Sequence, residues 1–218
     1  MNQFFAKVTI IMATWNRAHF IEEALRSIYN QSYKNWECLI IDDGSIDNTR
    51  EVVQKLIEKD HRFKYFKRTG KYKKGLPGSR NMGLDLAQGD NIIFFDDDDI
   101  IHPENLRLCQ EILEKNSADF CRYEKKPFFE KKENFTFSKI THLNLKEFTA
   151  ADIEKMVIGE IPFDFCNVMW DSKALKHERF NESLMYAEEW EFYSSVLSRG
   201  LNGFSINQVL YYNRKHLE

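Results

Sequence analysis

The chain has 218 residues, 43% of them hydrophobic and 30% charged, with a mean hydropathy of −0.54. That balance excludes a disordered tail and a multispan membrane protein, and predicts a soluble globular unit with enough apolar residues for a real core. Lys and Arg total 31 against 34 Asp and Glu, a net charge of −3, so no overall basic field exists to hold nucleic acid.

Four cysteines occur, Cys38, Cys109, Cys121 and Cys166, without a CxxC pair or metal-ligand spacing. A disulfide scaffold and a zinc ribbon are excluded, and a reducing compartment is expected. Residues 1–7 lack a charged leader, and the apolar run at 8–13 is too short for a signal peptide. No apolar run approaches the ~20 residues that cross a bilayer. A cytoplasmic protein is expected, with peripheral contact at the inner membrane face left open.

The first half alternates strands and helices. Residues 7–13 (KVTIIMA) read as a buried strand, and 19–30 as a helix with Ile21, Ala24, Leu25 and Ile28 on one face. Residues 38–41 (CLII) form a second strand, 48–59 a second helix and 63–66 a weaker third strand. A helix follows over 79–88, stopped by Gly89-Asp90, then a buried strand at 92–95 (IIFF) and a helix over 103–116. This alternation predicts a mostly parallel sheet covered on both faces, with ligands beyond the carboxyl ends of its strands.

The second half changes character. Residues 118–136 are aromatic and lysine-rich, predicting exposed or edge strands around a turn near Lys131-Lys132. A helix is expected over 150–158, a strand over 163–170 and a helix over 187–199, with a closing hairpin from 204–206 and 209–212. One unit with two functional halves, 1–116 and 117–218, is the simplest organisation.

Three strands deliver polar clusters to one edge. Asp96-Asp97-Asp98-Asp99 is the most prominent, because four adjacent carboxylates repel one another unless a cation neutralises them. Oxygen-only ligands suit Mg²⁺ or Mn²⁺; a solvated acidic turn is the ordinary alternative. Asp42-Asp43 ends the second strand, where an acid accepts hydrogen bonds from a ribose or base, although Gly44-Ser45 equally mark a turn. Of the two, Asp42 is expected to touch ligand and Asp43 to serve structure or the ribose. Trp15, after Ala13-Thr14, offers a stacking face or merely packs, and Arg17 can pair with phosphate.

No GxGxxG or GxxxxGK[ST] follows the first strand, so phosphate binding falls to a metal and basic side chains. The basic, glycine-rich stretch 67–80 (KRTGKYKKGLPGSR) reads as a mobile loop leading to Arg80. Residues 125–132 read as a charged edge or a contact with an anionic surface. Late in the chain, Glu188-Glu189 beside Trp190 combine a candidate general base with an aromatic acceptor platform, or simply complement a helix dipole. His216 reads first as a surface histidine.

Together these segments resemble the family-2 glycosyltransferases of the GT-A fold. Residues 8–17 (VTIIMATWNR) look like that family's opening strand and nucleotide loop, with Ala13 and Thr14 inside it. Residues 24–33 (ALRSIYNQSY) with 38–49 (CLIIDDGSIDNT), and then 75–99, are similar to its next two blocks. The resemblance implies an α/β GT-A fold with one Rossmann-like sheet, flanking helices and a small acceptor-side subregion. It implies inverting sugar transfer from a nucleoside diphosphate, usually UDP, to a glycan or lipid-linked acceptor in surface-polysaccharide assembly.

Carried over by position, Trp15 stacks on the base, Asp42 reads its ring nitrogen, Arg80 meets the nucleotide and Asp97 the ribose or sugar. Asp96 and Asp98 take the DxD positions for Mn²⁺ or Mg²⁺, Asp98 as direct ligand. Glu189 takes the base position and His216 that of a late histidine near metal or diphosphate. Glu189 replaces the more usual Asp, and Ser194-Ser195 fall where many members carry an arginine. A sugar nucleotidyltransferase on a related fold and a non-catalytic nucleotide- or sugar-binding module are the competing readings.

Overall fold

The computed structural model describes residues 6–129, 136–140, 142–184 and 186–216. Four β-rich segments of the first half form a parallel array: β1 (Val8–Thr14), β2 (Trp36–Asp42), β3 (Phe63–Lys67) and β4 (Asn91–Phe94). Every residue of β2 and β4 is buried, which explains their unbroken apolar runs. Three amphipathic crossovers cover the array: α1 (Ile21–Tyr29), α2 (Thr49–Ile57) and α3 (Leu76–Leu86).

The remaining strands are β5 (Ile100–Ile101), β6 (Phe120–Phe129), β7 (Leu145–Phe148), β8 (Val168–Asp171) and β9 (Gly203–Lys215). Among the described residues they complete one nine-stranded sheet in the order β3-β2-β1-β4-β8-β6-β9-β5, with β7 also on β9. The expected single α/β sheet is therefore present, but it is mixed. β8 joins antiparallel to β4 and β6, and β9 runs antiparallel to β5 and β7. The helices α4 (Asn105–Asn116), α5 (Ala150–Val157) and α6 (Glu188–Leu197) complete the fold. No helix among the described residues is long and apolar enough to cross a membrane.

Four local expectations need correction. The closing hairpin is instead the single strand β9, whose pairing with β6 jumps from Arg122–Ser205 to Glu124–Val209, so Ile206, Asn207 and Gln208 form a bulge rather than a turn. The strand expected over 163–170 begins only at Val168, because Phe165–Asn167 wind into a 3₁₀ turn. The start of β6 is interior, since Phe120, Cys121 and Arg122 pair on both sides; among the described residues its later part is bonded to β9 alone and forms an edge. The expected turn at Lys131-Lys132 and the tail of the 125–132 stretch lie outside the described residues.

The fourth concerns α3, which starts at Leu76, three residues earlier than expected. Gly75 precedes it at φ +119°, a conformation that favours glycine, and Pro77 occupies its first turn. This entry turns Ser79 and Arg80 inward, both buried. α3 also lies close on β1: a Cβ on Gly83 would stand 2.4 Å from Ile11 Cγ2, in the core. Gly83→Ala should therefore cost about 1–3 kcal/mol of stability by urea denaturation, overriding alanine's helix preference of about 1 kcal/mol.

Candidate active site

Parallel register brings the strand ends level. Thr14 pairs with Asp42, and beyond Ile11–Phe94 pairing the chain continues through Phe95 into the aspartate run. Ala13, Thr14, Trp15, Arg17, Asp43, Asp96, Asp97 and Asp98 consequently line one cleft of about 400 Å³, joined by Gly75, Leu76 and Ser79 of the α3 entry. The sequence reading missed these last three. The Ser79 hydroxyl is fully buried and has no hydrogen-bond partner among the described residues, which marks a place for a polar ligand.

The loop bearing Trp15 is laced to the loop after β2. Asn16, left-handed at φ 53°, accepts from the Ile46 N–H at 2.9 Å, while its own N–H and that of Arg17 donate to the Ser45 and Thr49 hydroxyls, each at 2.9 Å. Trp15 remains 53% exposed, with the Lys74 ammonium 5.5 Å from its ring, so it is not core packing.

Of the two acids after β2, the structure turns Asp42, the expected ligand contact, away from the cleft and Asp43 toward it. Asp42 is 1% exposed, and its carboxylate accepts from the Gly44 N–H at 3.0 Å, the Ser45 N–H and hydroxyl at 2.8 Å each, and the Tyr65 hydroxyl. Saturated in this way, it shapes the turn and is absent from the cleft wall. Asp43 faces the cleft, holding the Arg68 guanidinium and the Gly75 N–H at 2.9 Å. The basic stretch after β3 is accordingly anchored, with Lys73 N–H also donating to Glu182 at 2.6 Å. Neither Arg68 nor Tyr65 was singled out by the sequence.

Arg80 lies beneath the cleft rather than on its wall. Its side chain is 2% exposed, its guanidinium stacks 3.3 Å from the Phe165 ring centre, and neither Nη1 nor Nη2 finds a hydrogen-bond partner among the described residues. Three carboxylates surround it just beyond hydrogen-bond reach: Asp96 at 3.9 Å, Glu188 at 3.9 Å and Glu189 at 4.0 Å. Arg80 thus joins the acidic run to the late Glu pair, which the chain separates by some ninety positions.

Burial governs the acids. It pushes the Asp96 carboxyl well up, opposed by Arg80 and reinforced by its aspartate neighbours, and it raises Asp97 and Asp99 to about 6. Arg17 opposes the Asp97 shift through a 3.3 Å contact. Glu189, in the first turn of α6, is raised to about 7, chiefly by burial, with Arg80 pulling it down and Asp164 and Glu188 pushing it up. Its Oε2 accepts from the Phe165 N–H at 3.3 Å. Trp190 is 52% exposed and is not drawn into the cleft.

His216 Nε2 lies 3.0 Å from Asp98 Oδ2, so the last described residue does reach the acidic run. No group of three His, Cys, Asp or Glu is preassembled as a metal cage among the described residues. Mg²⁺ and Mn²⁺ need none, because one or two carboxylates suffice when substrate phosphates complete the shell. Asp96 and Asp98 on the cleft wall, with His216 beside them, fit that demand.

Two measurements test this division of roles. Asp42→Ala should cost about 2–4 kcal/mol in denaturation, since it strands several donors. A carboxyl titrating near pH 7 in carbon-13 spectra of labelled protein should vanish in Glu189→Gln.

Residues 9–177 match the family described as Glycosyl transferase family 2. The chain is 31% identical over 204 residues to a GalNAc(5)-diNAcBac-PP-undecaprenol β-1,3-glucosyltransferase of Campylobacter jejuni, an alignment covering 90% of this chain and 59% of that one. It is 40% identical over 113 residues to the Escherichia coli UDP-Glc:α-D-GlcNAc-diphosphoundecaprenol β-1,3-glucosyltransferase WfgD, covering 52% and 43% of the two chains. Among solved structures it is similar in fold to S. aureus TarS residues 1–349 in complex with UDP, with a TM-score of 0.79 and 21% identity over 96% of this chain and 60% of that one. A mannosyltransferase of Pyrobaculum calidifontis, solved with GDP-Man and Mn²⁺, gives a TM-score of 0.72 at 18% identity, covering 97% and 57%. The chain thus spans about three-fifths of the length of the Campylobacter relative and of TarS 1–349. It belongs to glycosyl transferase family 2.

Proposed function

We propose that this chain transfers a sugar, with inversion, from a nucleoside-diphosphate donor, UDP-linked by preference, to a hydroxyl of a lipid-linked glycan in bacterial surface-polysaccharide assembly. The observation that carries the reading is the buried Arg80 guanidinium, within about one bond length of hydrogen bonding to both Asp96 and Glu189. One cation then serves a diphosphate bound in the cleft and the base that would activate the acceptor.

In this reading residues 1–116 hold the donor and 117–218 the acceptor. Trp15 stacks on the nucleobase, Asp43 and Asp97 take its polar edge and ribose, and Arg17 and Arg80 oppose the diphosphate charge. Asp96, Asp98 and His216 would hold Mn²⁺ or Mg²⁺, which when bound supplies Lewis-acid stabilisation of the departing diphosphate. Glu189 takes the proton from the acceptor hydroxyl as that oxygen attacks the anomeric carbon. The bond to the diphosphate breaks from the opposite face in the same displacement, so no sugar–enzyme bond forms. Glu188 shapes the field around the base, and Trp190 offers the acceptor an apolar face at the rim.

The names of the two undecaprenyl-diphosphate glucosyltransferases support the lipid-linked acceptor, and the UDP complex of TarS supports the donor class. A site at the inner membrane face suits such an acceptor. The four cysteines, all free and buried, agree with a reducing compartment.

A general base raised to about 7 must lose its proton to work, so kcat/KM should rise with pH through about 7 and level off above it. Glu189→Gln should lower turnover by about 10²–10⁴-fold and flatten that limb, while UDP affinity stays within about twofold. Screening UDP- and GDP-sugars with a polyprenyl-diphosphate glycan acceptor checks both. Unchanged turnover in Glu189→Gln would contradict the assignment.

A further inference from the structure

The end of β9 carries another buried arginine, to which the proposed reaction gives no part. Arg214 is 8% exposed, and two of its hydrogen bonds go to the acidic run. Its backbone N–H donates to Asp99 Oδ1 at 2.7 Å, and its Nε donates to the Asp98 carbonyl oxygen at 2.8 Å. Nη2 reaches Glu23 of α1 at 2.5 Å. The guanidinium lies over two rings, 4.7 Å from the centre of Phe128 and 5.2 Å from that of Phe20. Phe20 in turn meets the His216 ring edge-on at 5.1 Å.

These contacts define a strut. The Asp98 peptide is gripped from behind by Nε, the next carboxylate is tied to the Arg214 backbone, and α1 anchors the far end of the fork. Side chains two apart in extended chain leave on the same side, so Arg214 also sets where His216 emerges. The Asp98–His216 contact of 3.0 Å follows from that placement.

We propose that Arg214 is a positioning residue for divalent-cation binding, which fixes the Asp98 carboxylate and His216 relative to each other without touching the ion. The inference rests on the metal-assisted reading of Asp96 and Asp98 given above. Lysine cannot replace it: a single ammonium lacks the planar fork that serves the Asp98 carbonyl and Glu23 at once.

The test is calorimetric titration with UDP, in EDTA and in Mn²⁺, read as the ratio of the Kd in EDTA to the Kd in Mn²⁺. The wild-type ratio should exceed one. A wild-type ratio of one would remove the metal reading itself, and this inference with it. Arg214→Lys should lower the ratio by about tenfold with the EDTA Kd unchanged, as expected when a support of a metal ligand is lost. A ratio retained in Arg214→Lys, or equal weakening in both buffers, would overturn the strut and leave the metal reading intact. Should that variant fail to fold, Glu23→Gln keeps Arg214 in place while loosening its anchor. It should lower the ratio by about two- to threefold, and an unchanged ratio would overturn the proposal.

Discussion

A guanidinium whose two Nη atoms are buried with no hydrogen-bond partner among the described residues is the constraint around which this site is arranged. Such a charge costs several kcal/mol unless opposite charge lies near, and Arg80 has three carboxylates at about 4 Å instead of one in contact. Asp96 and Glu189 gain from the cation but lose more by their own burial, so both are held toward the protonated form. The result is a site in which added positive charge over the aspartates, or negative charge near Arg80, meets unfilled capacity. The Phe165 and Phe180 rings beside it help keep the guanidinium dry, which strengthens every one of these interactions.

The fold explains how distant residues meet there. β1, β2 and β4 end level and release their polar residues at one edge, the place where open α/β sheets take ligands. The early start of α3, set by Gly75 and Pro77, then carries Arg80 under that edge. From the other half, β9 brings Arg214 and His216 to the back of the aspartate run, while α6 opens on Glu188 and Glu189. Ala187, held left-handed at φ 60° just before α6, directs the start of that helix.

Much of this could be read in the sequence because the signals were local. The apolar runs of β1, β2 and β4 and the facing residues of α1 and α2 need no tertiary information. The cleft residues Trp15, Asp43, Asp96, Asp97 and Asp98 follow from their position after strands. What escaped depended on contacts between remote segments. Asp42 and Asp43 are chemically alike, and only the Ser45 and Tyr65 donors decide that Asp42 serves the turn. Arg80 could be picked out, but its place below the cleft is set by Phe165 and the α6 acids. The β9 bulge reads as a turn, because Asn207-Gln208 interrupt the apolar pattern in the same way. Arg214 stood two residues before the histidine that drew notice, with the alternation of an extended chain as its one available signal.

The central claim is that donor binding and base share the Arg80 cation across one cleft. Its most direct test is a crystal structure of the protein with UDP and Mn²⁺. The account predicts uracil against Trp15, the diphosphate between Asp98 and Arg80, and an Arg80 Nη within hydrogen-bond distance of the nucleotide or of Asp96. Nucleotide bound elsewhere, such as in the groove between α1 and α2 lined by Tyr29 and Lys55, with Asp96 and Asp98 unchanged, would contradict it.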